Sequence, residues 1–173
     1  MNSNIEEILL NIEQHQYLSE NIPLKIEGLD KNRLGVKVCS NSPYKDYLLY
    51  ENAGEVAIGL GKKITFTVGK EHINLMINTK QVDQPIKDLS QDIHQILKAV
   101  SIKDWRAYGI ANFGLAYKNH GIREQREPDK LLELFIPEID VRIKNKQITV
   151  RSFSQNDIDH VKKIINCFKS EPS

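Results

Sequence analysis

Cysteine is almost missing from this chain: 2 residues in 173, Cys39 and Cys167, far apart and with no Cys-x-x-Cys spacing. That excludes a disulfide framework and a zinc or redox site built on neighbouring thiols. It also predicts a reducing, cytoplasmic compartment. Long apolar runs are missing too, since no stretch approaches the ~20 residues of a membrane span. Residues 1–20 are too acidic and polar for a signal peptide. An excess of either charge is also lacking. Lys plus Arg number 24 against 23 for Asp plus Glu, a net charge of +1. A nucleic-acid partner asks for a basic patch, so neither nucleic acid nor a membrane surface is an expected partner. The histidines, His15, His72, His94, His120 and His160, are scattered without ligand spacing. Metal binding by this chain alone is not expected. The sequence reads as having no internal repeats and no low-complexity segments.

What is present is an ordinary globular composition, 40% apolar and 27% charged, long enough for one domain or one lobe of something larger. Residues 4–16 place Ile5, Ile8, Leu9 and Ile12 on one helical face, with Ser3 or Asn4 as cap. The loop at Asn21-Ile22-Pro23 ends that helix. Leu34, Val36 and Val38 alternate as a strand, broken at Asn41-Ser42-Pro43. A run of strands follows at 47–51, 56–60, 64–68 and 73–77, with a turn at Asn52-Ala53-Gly54, and predicts an antiparallel meander. Residues 86–102 return to helical period through Leu89, Ile93, Ile96, Leu97 and Val100, with Ser90 near the start. A strand over 105–110 leads into a short helix over 112–119, closed by Gly121. The strand 131–136 stops at Pro137, a hairpin pairs 141–143 with 148–150, and a helix spans 154–168. Strands in groups, interrupted by two long helices, indicate an α+β fold.

Four clusters invite a chemical reading. Gly59-Leu60-Gly61 before Lys62-Lys63 resembles a phosphate loop at first sight. Dinucleotide loops need a third glycine opening a helix, and P-loops need four residues between the glycines. Here Ile64-Thr65-Phe66-Thr67-Val68 continues as a strand, so the glycines are expected to make a structural bend. "SFSQNDIDH" (152–160) gathers hydroxyls, Asp157 and His160, and a solvated helix start accounts for it. Glu124, Glu127 and Asp129 lie in a segment of alternating sign that reads as surface. Tyr44, Tyr47, Tyr50 and Tyr117 could line a pocket, but tyrosine is also a routine strand residue. No catalytic, cofactor-binding or metal-binding residue is assigned.

The order of pieces between Tyr47 and Phe153 carries a resemblance. "YLLYENAGEVAIGLGKKITFTV" resembles the N-terminal segment of the chorismate-utilising enzymes, where a strand ending in Tyr-Glu is followed by a turn, a strand and a Gly-x-Gly bend. "WRAYGIANFGLAY" is similar to that family's Tyr-Gly-x-x-x-Phe strand leading into a helix. "LLELFIPEIDVRIKNKQITVRS" resembles its strand ending in Pro and the hairpin after it. The salicylate synthase branch is the most similar, with the isochorismate and anthranilate synthases behind it. The likeness covers about 44–153; 1–40, expected to hold a helix and a strand, matches weakly, and 154–168 is the closing helix.

The resemblance implies a single non-catalytic N-terminal lobe of an enzyme that turns chorismate into salicylate through isochorismate, for siderophore biosynthesis. Its catalytic lysine, acid glutamate, Mg2+-binding glutamates and substrate-binding arginine belong to the C-terminal half, which is not in this sequence. The chain alone is therefore expected to be inactive and to need no cofactor, although the parent family uses Mg2+. The implied partner is a C-terminal catalytic half, in cis or in trans, or a second copy. A free-standing interaction protein and an effector-binding module are the alternatives. The anthranilate branch binds its amino-acid inhibitor at a Leu-Leu-Glu-Ser strand, and the equivalent residues here are Leu49, Glu51 and Asn52. Gly59, Gly61 and Gly109 are expected to be structural.

Overall fold

Ala53 and Gly54 both take left-handed backbone angles, φ 47 and φ 83. Two such residues in succession make the turn whose twist matches a tight antiparallel hairpin. They join β2 (Tyr47–Asn52) to β3 (Glu55–Leu60), with Asn52 opposite Glu55. The same alternation of apolar and polar residues builds the other hairpins. In the computed structural model, which describes residues 5–10, 12, 16–24, 29–112, 115, 120–121 and 130–170, the fold is α+β with two five-stranded antiparallel sheets.

The chain divides into two compact units. Unit II comprises Gln16–Lys62 and Pro137–Ser173. Its sheet runs β1 (Leu18–Pro23), β10 (Gln147–Ser152), β9 (Ile139–Ile143), β3, β2. Helices α2 (Lys31–Ser40) and α4 (Gln155–Ser170) belong to the same unit. Val56, Ile58 and Leu60 of β3, Ile139, Val141 and Ile143 of β9, and Ile148 and Val150 of β10 form one core with Leu34, Val38, Ile158, Val161 and Ile165 of the helices. Period 2 in the strands and period 3.6 in the helices put these residues on facing surfaces.

Unit I comprises Met1–His15 and Lys63–Ile136. Its sheet runs β6 (Lys80–Pro85), β5 (His72–Ile77), β4 (Ile64–Val68), β8 (Leu132–Ile136), β7 (Tyr108–Ala111). Helices α1 (Ile5–Leu10) and α3 (Leu89–Lys98) complete it. Ile64, Phe66, Val68, Ile73 and Leu75 are buried, as are Leu9 of α1 and Ile96 of α3.

Several expectations are corrected here. Residues 34–38 are not a strand but the middle of α2. Asp30 caps that helix by accepting from the Arg33 N–H at 2.9 Å. Leu34, Gly35, Val38 and Cys39 then face inward at helical spacing, while Val36 is 60% exposed. The apolar alternation of Leu34, Val36 and Val38 is a coincidence in a helix that buries one side. Asn21-Ile22-Pro23 is not a loop but the end of β1, an edge strand, where a proline N–H is not needed by the ladder. The strand β6 carries no sequence signal, and Asp88 rather than a serine caps α3, accepting from Gln91 at 3.0 Å. The meander is also interrupted. Strands β3 and β4 follow each other but lie in different sheets, because the chain changes sheet at Gly61-Lys62. The 105–110 strand is shortened to β7. Most of the expected 112–119 helix, with Tyr117, and the segment holding Glu124, Glu127 and Asp129 lie outside the described residues.

The glycines explain part of this geometry. Only Gly61 makes the bend expected of the Gly59/Gly61 pair, with φ +69, and a Cβ there would sit 2.6 Å from Tyr44 Cδ1. Gly59 stays extended within β3, opposite Leu48 and Asp140. At Gly109 a Cβ would lie 1.9 Å from the Glu133 carbonyl oxygen and 2.8 Å from Leu134 Cα, so β7 and β8 approach as only glycine permits. Gly109→Ala should therefore destabilise by more than ~2 kcal/mol in urea unfolding, since backbone cannot move aside as a side chain can. Gly61→Ala should cost ~1–2 kcal/mol. A loss below ~0.5 kcal/mol at Gly109, the level of an ordinary surface change, would contradict the close approach.

Candidate functional site

Two polar clusters occur in unit II, and both begin from residues that alternate with core positions. On β9, Asp140 and Arg142 flank Val141, and on β10, Arg151 follows Val150. The register puts Arg151 opposite Asp140. Asp140 is 1% exposed and Arg151 is 7% exposed, so this is a buried ion pair rather than a surface one. The Arg151 guanidinium donates to Asp140 Oδ2 through Nε at 2.9 Å and through a second nitrogen. Arg142 approaches the same oxygen at 3.4 Å. The Arg151 guanidinium also lies over the Tyr17 ring, 5.1 Å from its centroid, and that ring stacks on Phe153 at 4.2 Å. The Tyr17 hydroxyl donates to the Pro137 carbonyl at 2.5 Å. Burial first, then the Asp140 charge, pushes the Tyr17 hydroxyl far above its usual range. It is a fixed, neutral donor that ties the chain ahead of β1 to the chain entering β9.

The second cluster contains the hydroxyl, carboxylate and histidine of "SFSQNDIDH". Ser152, fully buried, donates to Asp157 Oδ2 at 3.0 Å and accepts from the Ser154 N–H at 3.1 Å. Tyr44 donates to the same Asp157 oxygen at 3.1 Å. Burial, Asp157 and Glu138 raise the Tyr44 hydroxyl, which stays neutral. His160 instead meets the Asn41 carbonyl at 2.9 Å. A nucleophilic triad needs the imidazole between hydroxyl and carboxylate. Here the hydroxyl bonds the carboxylate directly, and the arrangement fastens the first turn of α4 to β10.

Of the three effector-strand residues, Leu49 and Glu51 share one face of β2 and Asn52 lies on the other. Leu49 is half-buried and packs on the unit II core. Glu51 is exposed and accepts from Asn32 Nδ2 at 2.9 Å, and Asn52 opens the β2–β3 turn with its side chain on the opposite face of the strand. Tyr47 and Tyr50 are exposed on the same strand, and Tyr44 is engaged with Asp157. Among the described residues, no group of three or more His, Cys, Asp or Glu is placed to hold a metal. No described helix is long and apolar enough to cross a membrane. The buried Asp140–Arg151 pair was missed by sequence reasoning. Charges alternating with Ile and Val read as a solvated strand face, and nothing local distinguishes a covered face from an open one.

No protein-family model matches the chain, and no curated protein matches it at a meaningful level of similarity.

Two outcomes follow. Arg151→Met should destabilise by about 3 kcal/mol or more, because it leaves Asp140 buried beside a lost partner, while the Asp140→Leu/Arg151→Met double variant should recover much of that loss. Additive losses in urea unfolding would contradict the coupling. The second concerns pH. Burial pushes the Cys39 thiol up to about 11 from 9.0. The fold favours its neutral form, so the contribution is complete below pH ~9 and is lost as pH climbs toward 11. Cys39→Ala should flatten the fall in stability between pH ~9 and 10, and an unchanged slope would contradict it.

Proposed function

We propose that this chain is a non-catalytic lobe that works by pairing with a second protein. The observation that carries this reading is the outer edge of β7. The Asn112 N–H donates to the Leu131 carbonyl at 2.8 Å, and the register continues from Leu132 opposite Ala111 to Phe135 opposite Tyr108. In an antiparallel ladder the bonded pairs alternate. Tyr108 and Ile110 therefore point their backbone groups at β8, and Gly109 and Ala111 point theirs outward. Among the described residues no strand pairs with that edge, and Ile110 is 73% exposed. A strand edge that no described strand pairs with, beside an exposed apolar residue, is the kind to which another chain adds a strand.

The resemblance to the salicylate synthase branch names a partner, the C-terminal catalytic half in cis or in trans, with self-association as its substitute. In that reading the catalytic half brings the base, the acid and the Mg2+ ligands.

The purified chain given chorismate and Mg2+ should form neither salicylate nor isochorismate by chromatography. Light scattering after size exclusion at micromolar concentration should show self-association, or binding of an added catalytic half. Ile110→Lys, a charge on the edge, should abolish that association without unfolding the protein. A strictly monomeric wild type that ignores the catalytic half would overturn the reading.

A further inference from the structure

The two units share one topology when the chain is read as two consecutive segments. In the first segment the order is β1, α2, β2, β3, β4, β5; in the second it is β6, α3, β7, β8, β9, β10. Corresponding strands occupy corresponding places, since β1-β10-β9-β3-β2 and β6-β5-β4-β8-β7 are the same order with the segments exchanged. The detail goes beyond order. A shift of 75 residues takes hairpin β4–β5 (Ile64 to Ile77) onto β9–β10 (Ile139 to Ser152) without a gap. The turns agree: Gly69 N–H donates to His72 O and Lys144 N–H to Gln147 O, both at 2.9 Å.

The edge strands agree as well. Both β1 and β6 have six residues, the same alternation of exposed and half-buried positions, and a terminal proline, Pro23 or Pro85. The residue after each proline donates to the last residue of the facing turn, Leu24 to Lys146 at 2.8 Å and Ile86 to Glu71 at 2.7 Å. Each strand is followed by a ten-residue helix capped by an aspartate that accepts from the third helical N–H, Asp30 from Arg33 and Asp88 from Gln91. Chance convergence of strand order, register, turn bonds, edge proline and cap in two halves of one chain is a poor explanation.

We infer that the chain is a tandem pair of one β-α-β-β-β-β repeat in which each repeat hands its last hairpin to the other's sheet. Strands β4 and β5 of the first repeat complete the sheet that holds β6, β7 and β8. Strands β9 and β10 of the second complete the sheet that holds β1, β2 and β3. The sheet change at Gly61-Lys62 and its counterpart at Pro137-Glu138 are the points where each repeat crosses over. The strand edges of β3 and β8 that receive these hairpins are thus interaction surfaces fitted to a second copy of the same repeat, the arrangement of an exchanged homodimer fused into one chain. This stands apart from the choice of partner proposed above. The copies differ in residue type on both faces: Asp140, Arg142 and Arg151 stand in place of Thr65, Thr67 and Met76, and Val141, Val150 and Ser152 in place of Phe66, Leu75 and Ile77.

The test uses the full chain in two ways. A protease site is inserted in the exposed Asn78-Thr79 turn, the boundary between the repeats, where a lengthened loop is tolerated. After cleavage the two pieces should stay together as one species of full mass in native mass spectrometry. Light and heavy versions should scramble only after joint unfolding and refolding. Separately, residues 64–77 are replaced by the sequence of residues 139–152, with a control in which the inserted sequence is shifted by one residue, which turns every side chain to the wrong face. The in-register variant should melt in one cooperative transition and the shifted one should not. Pieces that part without denaturant, or an in-register variant no better folded than its shifted control, would overturn the inference.

Discussion

The structure depends on two backbone ladders that join segments distant in sequence, β4 with β8 and β9 with β3. Each lies inside its sheet, with hairpins on either side, so the sheet has no continuous surface until the ladder closes. Closing it brings together residues such as Ile64 and Ile136, or Leu60 and Ile139. The loop-closure entropy must be met before that contact stabilises anything. What offsets it is the burial of Ile, Val and Leu on the helix-covered face, at roughly 25 cal/mol for each Å2 of apolar surface removed from water.

The sheet changes make these ladders possible, and they are local backbone events. At Gly61 the chain adopts a left-handed angle against the Tyr44 ring, and Tyr44 is in turn held by Asp157 at the start of α4. At the other crossing, the Pro137 carbonyl accepts from Tyr17, whose ring is held between Arg151 and Phe153. The polar residues of unit II that looked like chemistry are thus engaged at the two places where the chain changes sheet. The suppressed ionisation of the Tyr17 and Tyr44 hydroxyls follows from their burial at these crossings.

Much of this was legible in the sequence, and the failures share a cause. The hairpins at 47–60, 64–77 and 141–150 were readable because short apolar, β-rich runs are bounded by turn residues, and the last helix because it buries one face. The edge strands β1 and β6 were not, since "LSENIP" and "KQVDQP" bury little and show no apolar alternation. Helix α2 was read as a strand because Leu34, Val36 and Val38 alternate, although only two of them face the core. Asp30 three residues before Arg33 was the available signal of a helix start. The repeat escaped notice because its copies share positions rather than residue types: Pro23 and Pro85, Asp30 and Asp88, Ile73 and Ile148 are among the few identities. The buried Asp140–Arg151 pair had no local signal at all.

Native-state amide hydrogen exchange, read strand by strand, tests the central claim most directly. If each sheet is completed by the other repeat's hairpin, the bonded amides of β4 and β8 should share one opening free energy, and those of β3 and β9 should share one as well, because neither member of a pair keeps its ladder when the other leaves. Protection that persists in β4 and β5 while β8 exchanges freely, or in β9 and β10 while β3 does, would show that the hairpins stand by themselves and would contradict the account.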